Sequence, residues 1–170
     1  MNKNTDDIEQ GIIKVLCDTS KQLADAELNS DRARTEAIFK AITELASSVN
    51  LKVRVTEENK ANNAWLYDLT VFDGTPDDIY KVWVALESEW NPYLDHIKYD
   101  FYKLVQSRSM LRVMLFKSDD CHTITNTLVK IVETSEMSES GDRYLFAGWD
   151  WEKRHNTDNG MFHIRQYTKA

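Results

Sequence analysis

The stretch NAWLYDLTVFDGTPDDIYKVWVALESEW, residues 63–90, decides the fold. Residues 63–74 are rich in aromatic and β-branched side chains and end at Gly74, which predicts a strand. GTPDD, 74–78, has turn chemistry. IYKVWVALESEW, 79–90, is nearly continuously apolar until Glu87, which predicts a second strand paired with the first, and Pro92 follows it as a stop. One charge interrupts the first apolar run, Asp68, and two acids close the second, Glu87 and Glu89. A carboxylate inside an apolar strand is costly unless something compensates it. Glu87 and Glu89 are two apart, so a strand turns both to one face, and a hairpin brings Asp68 toward that face.

Upstream, LKVRVTE (51–57) alternates Leu51, Val53 and Val55 against Lys52, Arg54 and Thr56, predicting a half-buried strand before the hairpin. Residues 5–27 read as a helix with Ile8, Ile12, Val15, Leu16 and Leu23 at helical spacing, capped by Thr5 or Asp6. Residues 31–48 read as another, capped by Ser30 or Asp31, with Ala37, Ile38, Ala41, Ile42 and Leu45 on one stripe. Downstream, a helix over about 93–109 turns Leu94, Ile97, Phe101, Leu104 and Val105 inward. LRVMLFKS (111–118) is apolar enough for a central strand. Residues 119–137 form a helix capped by Asp119 or Asp120, and 143–151 and 160–169 are two last strands. The order α-α-β-β-β-α-β-α-β-β predicts an α/β protein with a mixed sheet and helices on both faces.

The 170 residues fit a single domain, divided into an N-terminal helix (1–29), a core (31–118) and a C-terminal helix and strands (119–170). A chain of this length buries roughly 70% of its unfolded surface, so it needs no staple. There is no run of about 18 apolar residues, so no membrane span is expected. The first twenty residues lack a basic start and a long apolar run, which argues against a signal peptide. Cys17 and Cys121 match no metal or redox spacing, and a reducing cytoplasm is the simplest expectation. Against 28 acids stand 21 Lys and Arg, a net charge of −7, so bulk charge does not make this a phosphate binder. Residues 95–118 are the exception, with five basic side chains against two Asp.

Three carboxylates gathered at a strand end repel one another unless a cation or shared protons offset them. Hard oxygen donors suit Mg²⁺ or Mn²⁺, and such an ion can orient a water against a scissile phosphate. A helix, a three-strand meander with Asp in its second strand and Glu-x-Glu at the end of its third, then a helix and a strand, resembles the PD-(D/E)XK superfamily, the restriction-endonuclease-like nucleases. The resemblance covers about residues 31–118. It implies that Asp68 stands for the motif Asp and Glu87 for the second acid, both as metal ligands. Glu89 stands where the family usually has Lys, and in members similar in this respect a Glu there serves as ligand or base. In others a Lys reaches in from the next helix, which makes Lys103 the natural candidate, with Gln106 one turn on. Glu36 corresponds to an acid that related families use from the first core helix. The Pro of the motif name is absent, since Leu66 and Tyr67 precede Asp68. The resemblance implies cleavage of phosphodiester bonds in DNA, with Asp68, Glu87, Glu89 and Lys103 as the machinery, and pairing of two copies where two strands are cut.

Plainer readings stand beside these. Asp68 could pair with Arg54 or Arg112, and Glu87 and Glu89 could open a solvated loop. Lys103 and Asp100, three apart on a helix, could be a surface ion pair. The four histidines, His96, His122, His155 and His163, show no ligand spacing, and there is no Gly-rich phosphate loop. The C-terminal aromatics, among them Tyr144, Phe146, Trp149 and Phe162, alternate as core packing does, and Lys153, Arg154 and His155 could touch phosphate from a loop. The competing function is a nuclease-like fold without catalysis, binding a protein or nucleic acid.

Overall fold

The computed structural model describes residues 4–26, 30–56, 66–75, 77–150 and 160–170. Its elements run α1 (Thr5–Asp25), α2 (Asp31–Ser48), β1 (Lys52–Val55), β2 (Leu69–Thr75), β3 (Asp78–Glu89), α3 (Leu94–Val105), β4 (Leu111–Lys117), α4 (Cys121–Thr134), β5 (Arg143–Trp149) and β6 (Phe162–Thr168). The strands form one mixed sheet in sequence order, β1 to β6. β1, β2 and β3 are an antiparallel meander, β4 and β5 join parallel to β3, and β6 returns antiparallel. The parallel steps are those that contain a helix, because a parallel partner needs a crossover long enough to return the chain to the starting edge.

The pleat divides the sheet into two apolar faces. Leu111, Val113 and Leu115 enter one cluster with Ile12 and Leu16 of α1 and Ile38 and Ile42 of α2. Met114 and Phe116 enter the other with Ile97, Phe101 and Leu104 of α3 and Leu128 and Val132 of α4. β4 is buried on both faces, as its continuous apolar run predicts. The result is a three-layer α/β/α arrangement.

Several boundaries differ from the sequence expectation. Asn4, not Thr5 or Asp6, caps α1, its side chain accepting from the Asp7 amide. Ser30 caps α2, with Oγ accepting from the Ala33 amide at 3.1 Å, and Asp120 caps α4 through the Thr123 amide. α3 stops at Val105 rather than 109: Arg112, buried on β4, donates to the Leu104 and Ser107 carbonyls and pairs with Asp142, fixing the chain where it leaves the helix. β2 begins at Leu69, so Asp68 lies one residue before the strand rather than inside it, although the Thr56 amide still donates to the Asp68 carbonyl. Residues 63–65 and the loop with Lys153, Arg154 and His155 lie outside the described residues. At the hairpin, Gly74 holds φ +124°, and a Cβ there would meet the Asp78 carbonyl oxygen at 2.2 Å. Only glycine fits that turn.

Two long-range ties fasten α1 to the end of the sheet. Arg143 on β5 bonds Asp6 and the buried Glu9. Ser20 Oγ accepts from the Met161 amide next to β6. No helix among the described residues is long and apolar enough to cross a membrane.

Candidate functional site

The acids expected to act together lie at one end of the β2–β3 hairpin. β3 is long enough to run past β2 with its last three residues, Glu87, Ser88 and Glu89, which pair with Met114, Leu115 and Phe116 of β4. Alternation turns Ala85 and Glu87 toward α3. Asp68, just ahead of β2, is fixed by Ser88: Oδ2 accepts from the Ser88 amide at 2.8 Å and from its hydroxyl at 3.0 Å. Arg112, offered by the plainer reading as a partner for Asp68, is engaged instead at the end of α3. Glu89 bends back to accept from the Asn91 amide at 2.7 Å, shaping the chain before α3.

α3 supplies the cation. Its inward stripe of Ile97, Phe101 and Leu104 sets Lys103 on the flank that overhangs β3. Lys103 Nζ lies 2.7 Å from Glu87 Oε2 and 2.8 Å from Asp100 Oδ1. The Glu87 side chain is 0% exposed and that of Lys103 is 36% exposed, so the ammonium bridges a buried acid to the outside. Lys103 and Asp100 are therefore not a surface pair alone. Glu87 Oε1 is buried and has no hydrogen-bond partner among the described residues.

All three expected acids are harder to ionise than usual. Burial, then the charge of Asp68, push Glu87 up to about 8 against the opposing pull of Lys103. Burial raises Asp68 despite its two Ser88 bonds, and burial raises Glu89, with Asp100 adding to it. Burial alone would lower Lys103, but Asp100 and Glu87 outweigh it and hold the lysine above its ordinary range. Glu87 and Lys103 thus both move up. The direction is consistent: the cluster holds more negative charge than one ammonium offsets, so near neutral pH it retains a proton on a carboxyl while Lys103 stays charged.

A cleft of about 420 Å³ opens beside this cluster. Asp68, Ser88, Glu89 and Asp100 form one wall, and Asp31, Thr35 and Phe39 of α2 form the other. α2 is held in place by Arg34, which is buried, bonded to Asp31, and set with its guanidinium 5.0 Å from the Trp90 ring and 5.1 Å from the Trp149 ring. The Trp90 indole also donates to Thr35 Oγ1 at 2.7 Å. Glu36 does not line the cleft: it is exposed and bonded to Arg32 one turn back. Gln106 caps the C-terminus of α3 and is exposed, also outside the cleft. The structure therefore joins Glu87 to Lys103 and Asp100, sets Asp68 against Ser88 with Glu89 on the cleft wall, and leaves Glu36 and Gln106 without a contact to any of them. It adds Asp100, Ser88, Asp31 and Thr35. Asp100 had a sequence signal, since any role for Lys103 carries along the acid one turn before it. Ser88 had none, because its contact with Asp68 depends on strand register.

The donors are carboxylate oxygens, the type a hard divalent cation takes, and Glu87 Oε1 among them is orphaned. Among the described residues, no three His, Cys, Asp or Glu side chains are grouped to enclose an ion as they stand. Comparison with family models, with curated proteins and with solved structures returns no match for this chain.

Proposed function

We propose that this protein is a divalent-metal-dependent nuclease-like hydrolase that cleaves phosphodiester bonds in DNA, on a restriction-endonuclease-like core spanning about residues 31–118. The observation that carries the reading is the reach of Lys103 from α3 to Glu87, beside Asp68 and Glu89 at the end of β3. A sheet in sequence order with its second strand antiparallel to both neighbours supports the same core.

In this reading Asp68 and Glu87 hold Mg²⁺ or Mn²⁺, with Glu89 completing the set. When bound, the ion polarises the phosphate and lowers the pKa of water. Where Glu89 does not ligate the ion it is the base instead: half-buried beside the open cleft, it would accept the proton of the attacking water. Lys103, charged throughout the neutral range, is an electrostatic clamp for the developing phosphorane charge rather than a base. Asp100 positions Lys103, and Ser88 positions Asp68.

Calorimetric titration of Mn²⁺ into the wild type and into Asp68→Asn tests this directly. Binding in the wild type is expected to vanish in the variant and to release a proton near pH 7, because a carboxyl must deprotonate to bind. Cleavage of DNA is then expected to disappear in Glu87→Ala with the fold intact. Full cleavage by that variant overturns the reading. A second reading is favoured by the ion pair that already satisfies one oxygen of Glu87 and by the net charge of −7: a nuclease-like module that binds a protein or nucleic acid without hydrolysis. Metal-independent partner binding unaffected by Asp68→Asn selects it.

A further inference from the structure

Glu89 and Asp100 line a second opening as well as the cleft described above. This shallower recess, of about 520 Å³, is completed by Asp95, His96 and Tyr99 on the N-terminal half of α3. Its aromatic side chains are turned to solvent rather than to the core. Tyr99 is 74% exposed, and the neighbouring Tyr93, 71% exposed, lies against the His96 ring with centroids 6.5 Å apart. α3 has a fully buried stripe of its own, so core packing does not explain these rings. The recess is lined by three carboxylates and by no Lys or Arg. Such a wall repels a phosphate backbone lying along it, and it welcomes a neutral, flat ring that carries N–H donors. A base inside a duplex cannot reach it, because its faces are covered by stacking and its donors are paired. An unpaired base can stack on the rings and donate to the carboxylates.

We infer that the α3 recess receives an unpaired nucleobase, so the substrate of the neighbouring acid–lysine cluster is a single-stranded or extruded nucleotide rather than an intact duplex. This rests on the nuclease reading for the placement of the phosphate, and deepens it. The shared walls, Glu89 and Asp100, put the base next to the nucleotide whose phosphate faces Asp68, Glu87 and Lys103. Tyr99 then acts as a stacking platform and determinant of substrate class.

The test is fluorescence anisotropy with a short labelled single-stranded DNA of mixed sequence and with the corresponding blunt duplex. It uses the wild type, Tyr99→Ala, Tyr99→Phe and Glu87→Gln, with cleavage followed in parallel in Mn²⁺. The single strand is expected to bind more tightly than the duplex. Tyr99→Ala is expected to weaken that binding at least about fivefold, the loss of one stacking contact, while Tyr99→Phe keeps it. Equal binding of duplex and single strand, no binding of either, or binding indifferent to Tyr99→Ala each overturns the inference. The two proposals fail separately. Single-strand binding that depends on Tyr99, without cleavage by the wild type, removes the nuclease reading and leaves the recess as a base-binding site. Duplex cleavage that depends on Glu87 but not on Tyr99 keeps the nuclease and removes the recess from it.

Discussion

Glu87 concentrates the electrostatics of the molecule in one side chain. Its folded pKa, about 8, lies above the 4.5 of an unperturbed Glu, so between those values the folded chain holds a proton that the unfolded chain has released. Stability attributable to Glu87 is therefore greatest below about 4.5, declines as pH rises, and reaches its minimum above about 8. Lys103 contributes in the opposite sense at higher pH: its raised pKa gives stability that is present below the ordinary lysine value of 10.5 and is lost above the folded one. The two windows do not overlap, so they can be separated. Glu87→Gln keeps the shape and a hydrogen-bond acceptor for Lys103 but cannot ionise. Urea midpoints for that variant are expected to be flatter than wild type between about pH 5 and pH 8 and higher than wild type at about pH 8. A wild-type-like slope in the variant would assign the pH dependence to Asp68 or Glu89.

Among the elements, α2 is the one whose stability and placement meet at the site. Its first turn carries Asp31 and Thr35 into the cleft, and the Ser30 hydroxyl satisfies an otherwise orphaned amide at that end. Ser30→Ala is expected to cost about 1 kcal/mol, read as a lowered urea midpoint with unchanged slope. The order of all ten elements and the two-sided burial of β4 were legible in the sequence, and the caps of α2 and α4 to one of two adjacent residues, because each follows from a local period or a local hydrogen bond. What was not legible depends on distant residues. α3 ends at Val105 where Arg112 on the next strand takes the Leu104 carbonyl and, just past the helix, the Ser107 carbonyl, whereas apolar spacing alone carries the helix to 109. Asp68 falls outside β2 because β2 pairs from Leu69 onward. The site shows the same division. Glu87 and Glu89 were readable as the acids that end an apolar run, whereas Lys103 was pointed to only by the family resemblance, its own spacing to Asp100 reading as a surface ion pair. Asp100 was visible only as a helical neighbour, and Asp31, Thr35 and Ser88 join the site through packing and register that no local pattern encodes.

At the scale of the whole molecule, two apolar layers of different make-up clamp one sheet. The layer under α3 and α4 is rich in aromatics: Phe146 is fully buried, with its ring 5.6 Å from Phe101 and 6.2 Å from Tyr144. Phe146→Ala is expected to cost about 3–5 kcal/mol in urea unfolding, a large part of the net stability of a domain this size. The same loss is expected to loosen α3, and hydrogen exchange should rise there more than in α1, which packs on the opposite layer. The ties between α1 and the end of the sheet have a consequence for how the chain is made. Glu9 waits for Arg143, 134 residues later, and Ser20 waits for Met161, 141 residues later. A ribosome delivers the first helix long before it delivers the strands that hold it. During most of synthesis α1 therefore presents Ile8, Ile12 and Leu16 with only part of their cover, and chaperones that bind apolar helices have their longest opportunity at this segment.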